Sequence, residues 1–162
     1  MSTEINIEKL YENCIKILTD LIGFKTISGE DNNSLIDYCD NILKDLGASS
    51  FRTFDEDKKR VNLFATIKAK NTSNKKPIIL SGHTDVVPVG DENAWSSNPF
   101  DATEKNGKLY GRGASDMKSA IAAFVLAVRE YLENNQVKGT ISLLITNDEE
   151  GPAINGTKKV LE

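Results

Sequence analysis

Pro77-Ile78-Ile79-Leu80-Ser81-Gly82-His83-Thr84-Asp85 decides how this 162-residue sequence folds. The stretch opens on a proline and a continuous apolar run, which reads as a buried strand. It ends at the single histidine of the chain. A second run of the same kind, Thr140-Ile141-Ser142-Leu143-Leu144-Ile145-Thr146, ends at Asn147-Asp148-Glu149-Glu150-Gly151. Between the two lies a helical pattern from Asp116 to Glu133. Met117, Ile121, Phe124, Val125, Val128 and Leu132 mark its inward face, and Ala120, Ala122, Ala123 and Ala127 make it apolar nearly all round. Such a helix is expected to be buried on most sides. Strand, helix and strand in this order predict an α/β fold, a mixed sheet covered by helices.

Working outward, Ile7, Leu10, Cys14, Leu18 and Leu21 recur at helical spacing and predict a helix from Ile7 to Ile22. Leu35, Cys39, Ile42 and Leu46 predict a second helix from Asn33 to Leu46, with Gly47 as its C′ residue. Phe51, Thr53 and Phe54 suit a short strand, and Val61 to Ala69 a half-buried one. The polar, basic stretch Asn71 to Lys76 then reads as a solvated hairpin loop. Val86 to Phe100 is irregular, Leu109-Tyr110 ends a short extended piece, and a last helix begins near Asn155-Gly156. No repeat or low-complexity segment interrupts this order.

In open α/β sheets ligands sit beyond the C-terminal ends of the strands. His83 and Asp85 follow one such end, and Glu149 and Glu150 follow the other. The loop before Asp116 has the length to bring that carboxylate to the same place. One imidazole with several carboxylates suits Zn²⁺ or Co²⁺ better than Ca²⁺. Residues i and i+2 of an extended chain face the same way, so the Asp85 carboxylate is expected to accept from the His83 ring and fix its tautomer. Each segment also has a plain reading. His83 could be satisfied by a backbone carbonyl, Asp116 could cap the helix it opens, and the acidic run could be a solvated turn. Gly111 and Gly113 resemble half of a dinucleotide fingerprint, but Asp116 stands where the third glycine belongs and would repel a phosphate.

Composition sets the outer limits. Hydrophobic residues make up 39% and charged residues 27%, ordinary for a globular domain. The net charge of −4 points away from nucleic acid. No run approaches the ~18 apolar residues of a membrane span. Met1-Ser2-Thr3-Glu4 has no basic or apolar leader character, so a cytoplasmic protein is expected. Cys14 and Cys39 both lie on helical apolar stripes and read as small buried hydrophobes.

Taken together, Ser81-Gly82-His83-Thr84-Asp85-Val86-Val87-Pro88, Tyr110-Gly111-Arg112-Gly113-Ala114-Ser115-Asp116-Met117-Lys118 and Thr146-Asn147-Asp148-Glu149-Glu150-Gly151 resemble the N-terminal signatures of the M20 family of metallopeptidases and amidohydrolases. Within it, Gly90 to Trp95 and Asp148 to Thr157 are most like the members that deacylate N-acyl amino acids in biosynthesis. The resemblance implies a zinc-dependent hydrolase of a linear amide bond, with two ions per site and Co²⁺ as an alternative. His83 would bind one metal, Asp116 would bridge both, and Glu150 would bind the second. Glu149 would be the catalytic base and acid, and Asp85 would orient His83. The substrate would be a small N-acyl amino acid, and the complete enzyme a homodimer. Residues 1–162 would be the N-terminal portion of the metal-binding catalytic domain, with the dimerisation domain and C-terminal portion absent. For the isolated chain the resemblance therefore leaves open a non-catalytic fragment.

Overall fold

The first two helices form where the apolar spacing demands them. In the computed structural model, which describes residues 6–69 and 75–162, α1 spans Ile7–Gly23 and α2 spans Asn33–Asp45. The Asn6 side chain caps α1 by accepting from the Lys9 amide. Ile7, at the open end of α1, is exposed, and burial begins at Ile17. At the end of α2, Gly47 takes φ +85°. The Ala48 amide reaches the Leu43 carbonyl and the Gly47 amide that of Lys44. These are the paired bonds of a Schellman ending, and they turn the chain directly into the sheet.

Strands β1 (Ser49–Phe54), β2 (Val61–Ile67), β3 (Ile78–His83) and β6 (Ile141–Thr146) make a four-stranded sheet in the order β1-β2-β6-β3. A separate hairpin joins β4 (Thr103–Lys105) to β5 (Lys108–Tyr110). β2 pairs antiparallel with both β1 and β6, whereas β3 runs parallel to β6, so the sheet is mixed. Helix α3 (Ser119–Asn134) is the crossover between the parallel pair, and α4 (Thr157–Leu161) follows the last strand.

Alternation along the strands divides the two faces. Val61, Leu63, Ala65 and Ile67 of β2, with Leu143 and Ile145 of β6, point into one buried cluster. Leu21, Ile22, Leu35, Leu43, Ile121 and Val125 from the three long helices complete it. On the opposite face, Phe64 lies 5.4 Å from Phe51 between ring centroids, and Thr66 hydrogen-bonds Ser142.

Several expectations are corrected. The apolar run entering β3 is not buried, because β3 is an edge strand: Ile78 is 58% and Ile79 56% exposed. Residues 71–74 of the basic stretch, and Met1 to Glu4, lie outside the described residues. The strands on either side of that stretch, β2 and β3, are not neighbours in the sheet, because β6 sits between them. Helix α3 begins at Ser119, three residues after Asp116, and its alanines Ala123 and Ala127 face solvent, so it is buried on one side only. Small apolar residues favour helix whether or not they are covered. Cys39 is buried and its thiol is pushed up to about 12 by burial, so it is inert; Cys14 is half-buried, and both are free.

Candidate metal centre

His83 is the last residue of β3, level with Thr146 of β6. The chain then leaves the sheet along a buried polar path. The Thr84 amide donates to the Thr146 carbonyl, and the Thr84 hydroxyl donates to the same oxygen. Thr84 in turn accepts from the Asn32 side chain, which also pairs with both backbone groups of Val61. Thr26 donates to the Thr84 carbonyl at 2.6 Å. These bonds fix the backbone that carries the histidine.

The ring itself is oriented by one contact. His83 Nδ1 lies 2.9 Å from the Asp85 carbonyl oxygen and 3.6 Å from its carboxylate. A carbonyl can only accept, so Nδ1 carries a proton, and in the neutral ring Nε2 presents its lone pair. The carbonyl thus holds the tautomer that was expected of the Asp85 side chain. That carboxylate, fully buried, works elsewhere: Oδ1 accepts the Glu149 amide at 3.2 Å and Oδ2 the Glu150 amide at 2.9 Å. Asp85 therefore joins the end of β3 to the acidic loop after β6.

That loop is cinched from both ends. Asn62 of β2 accepts from the Asn147 amide and donates to the Asn155 carbonyl. Asp148, fully buried with φ +78°, accepts the amides of Ile154 and Asn155 through Oδ2. Its other oxygen faces Arg60 at 3.7 Å. Sequence reasoning missed Asn32, Asn62 and the structural part of Asp148. The available signal was an amide inside the apolar pattern of Val61–Ile67, where a polar residue needs a partner.

Asp116 is not the helix cap. With φ −128° and ψ 103° it is extended, inside the turn Ala114–Lys118 that precedes α3, and the peptide that follows it is cis. Its carboxylate, 74% exposed, points back to the histidine, 3.1 Å from Nε2. Glu149 Oε2 lies 3.6 Å from the same nitrogen. Ligand atoms of His83, Asp116 and Glu150 all fall within 4.8 Å of one another. Burial first, then the negative charge of Asp116, holds the Glu150 carboxyl above the usual range; Glu149 and Asp85 push the same way, and His83 opposes them.

This donor set fits a metal ion. With the ring neutral, as a metal ligand requires, the Nε2 lone pair faces the Asp116 carboxylate, two acceptors that a shared cation would bring together. Two donors on one tetrahedral zinc, each at ~2.0–2.1 Å, stand roughly 3.3 Å apart. The 3.1 Å between His83 and Asp116 is close to that spacing.

Residues 79–162 match peptidase family M20/M25/M40. Among curated proteins, the chain is 44% identical over 149 residues to the succinyl-diaminopimelate desuccinylase of Rickettsia bellii (strain OSU 85-389), covering 90% of this chain and 37% of that protein. To the protein of that name from Rickettsia canadensis (strain McKiel) it is 46% identical over 154 residues, covering 91% and 38%. The chain thus spans less than two fifths of these relatives' length. Among solved structures, human carnosine dipeptidase 1 superposes with a TM-score of 0.78 at 20% identity, over 98% of this chain and 38% of that one, a likeness of fold. The M20 family metallo-carboxypeptidase Sso-CP2 from Sulfolobus solfataricus gives 0.74 at 27% identity, over 85% and 31%.

Proposed function

The chain belongs to peptidase family M20/M25/M40, and from that membership we propose that it forms the N-terminal portion of the metal-binding catalytic domain of a metal-dependent amide hydrolase. One observation carries the reading. Three residues from three separate segments, His83, Asp116 and Glu150, bring their ligand atoms within 4.8 Å beyond the C-terminal ends of β3 and β6. Solvated acidic turns have no reason to converge on the one histidine.

We assign His83 to one metal, Glu150 to the second, and Asp116 to both. Zinc is the ion proposed, with cobalt as its substitute. A bound ion of this kind polarises the scissile carbonyl and stabilises the negative charge that develops on it. Glu149 is the general base: it is 62% exposed and its amide, not its carboxylate, is tied to Asp85. Its side chain is free to take a proton from the attacking water and pass it to the leaving amine. Asp85 is a positioning residue, holding the His83 tautomer through its carbonyl and the Glu149-Glu150 backbone through its carboxylate.

The substrate proposed is N-succinyl-diaminopimelate, supported by the names of the relatives at 44% and 46% identity. The setting is lysine and diaminopimelate biosynthesis in the cytoplasm, with the complete protein a homodimer. Among the described residues no helix is long and apolar enough to cross a membrane. The test is succinate release from N-succinyl-diaminopimelate by the full-length protein with Zn²⁺, run beside N-acetylornithine. Preference for the succinylated substrate supports the assignment. Preference for N-acetylornithine replaces it with the deacetylase of the same family, and hydrolysis of neither removes the enzymatic reading.

A further inference from the structure

We infer that Lys118 is a positioning residue for the metal centre: its buried ammonium ties down the turn that aims the Asp116 carboxylate. The inference rests on the assignment of Asp116 as a ligand.

Lys118 is 0% exposed, the bulkiest of the fully buried side chains. Burying a lysine is costly, and a methionine of similar shape would fill the same space without that cost. A lysine kept in such a place has work that only its ammonium can do. Its Nζ donates to the Phe24 carbonyl at 2.7 Å. Phe24 is the residue that caps α1, so the cation also meets the negative end of that helix. Burial draws the Lys118 ammonium down to about 8, yet the hydrogen bond stands on distance alone.

The backbone of the same residue closes the turn. The Lys118 amide donates to the Gly113 carbonyl at 2.9 Å, enclosing Ala114 to Met117. Gly113 sits at φ +79°, and a Cβ there would meet Val86 Cγ1 at 2.6 Å and Lys118 Cδ at 3.1 Å. The lysine stem therefore occupies the space that glycine leaves, and the turn lies pinned between α1 and the chain leaving β3.

Asp116 stands in this turn with its carboxylate 74% exposed. It faces His83 Nε2 at 3.1 Å, the atom with which it would share a metal. The direction of the carboxylate is thus set by the backbone on either side of it. Lys118 anchors one side of that backbone to a different element.

The experiment measures Zn²⁺ affinity by calorimetry and the visible absorption of the Co²⁺ form, in the full-length protein. Lys118→Met is compared with Leu43→Ala, a truncation of a buried core residue in α2 that makes no polar contact to the turn. Lys118→Met is expected to weaken Zn²⁺ binding by about 10–100-fold, the loss usual when a residue supporting a ligand is removed. It should also alter the Co²⁺ spectrum. Leu43→Ala should lower the melting temperature and leave both unchanged. Should Lys118→Met fail to fold, Lys118→Gln, which keeps a donor on a shorter stem, carries the test with a smaller loss. Wild-type affinity and spectrum in the folded lysine variant overturn the inference alone. A wild-type chain that binds neither ion overturns the metal assignment and this inference with it.

Discussion

Two of the carboxylate clusters in this molecule are built on opposite principles. Between α2 and β1, Arg52 spans Asp37 and Asp40 at 2.6 Å each, Lys44 reaches Asp40 at 2.9 Å, and Ser50 donates to its other oxygen. Burial alone would raise the Asp40 carboxyl; the hydrogen bonds from Ser50, Lys44 and Arg52 outweigh it and hold the group below the usual range. At the ends of β3 and β6, Asp116, Glu149 and Glu150 crowd one imidazole. There burial and neighbouring carboxylates act together, and Glu150 is raised. The first cluster is neutralised by the chain's own cations. The second is short of positive charge, which is the electrostatic description of a site for a metal ion.

The comparison breaks most sharply at Glu149. In the full-length protein, Glu149→Gln should lower turnover by about 10²–10⁴-fold, the usual worth of a general base, while metal content by elemental analysis stays unchanged. Near wild-type turnover would make Glu149 an ordinary surface acid. In the 162-residue chain, where each ion would have two of these ligands rather than the three or four of a usual zinc site, Zn²⁺ binding should be weak. His83→Ala should abolish it in calorimetry; tight binding that survives the substitution would remove the centre altogether. Asp40→Asn tests the other cluster. It should cost about 1–3 kcal/mol in urea denaturation, because a buried charged acceptor with several donors is lost, and leave Zn²⁺ affinity alone.

Acid should separate the clusters most finely. Asp40 is depressed when folded, so its contribution to stability is present above its ordinary 3.8 and is lost as pH falls through the folded value. Glu150 is raised when folded, so the metal-free chain binds more protons than the unfolded chain between 4.5 and the raised value. Its stability should therefore drop as pH rises through that window. Zn²⁺ must displace the proton from Glu150, so binding near that window should release protons, measurable as a buffer-dependent heat.

The helices and strands were legible because they are written in spacing: Leu18 and Leu21, Leu35 and Cys39, Ile141 to Ile145. The approach of His83 to Glu149 and Glu150 was legible because segments placed after neighbouring strands converge by topology, whereas the choice of Asp116 and Glu150 as ligands came from the family resemblance. What escaped depends on distant partners. An apolar run looks the same whether it enters a sheet's centre or its edge, so the exposure of Ile78 and Ile79 could not be read. An aspartate before a helical pattern signals a cap, yet Asp116 is held extended by a turn whose anchor is Phe24. Asn62 and Lys118 are polar by type and buried by partners remote in sequence, Asn155 and Phe24.

The sheet order has a consequence for how the chain comes into being. β6 lies between β2 and β3, yet it is the last of the four strands to be synthesised. Leu63 must wait for Ile145, and Leu80 for Leu143. While the ribosome translates everything from β3 to the end of α3, the nascent chain can pair β1 with β2 but has no centre for its sheet. Both flanking strands then present open edges, the state most prone to wrong pairing and most in need of chaperone cover. Closure brings the long-range contacts in one late step, as expected for slow, non-local topology. Glu149 and Glu150 emerge immediately behind β6, so the metal ligands become able to assemble as the sheet closes.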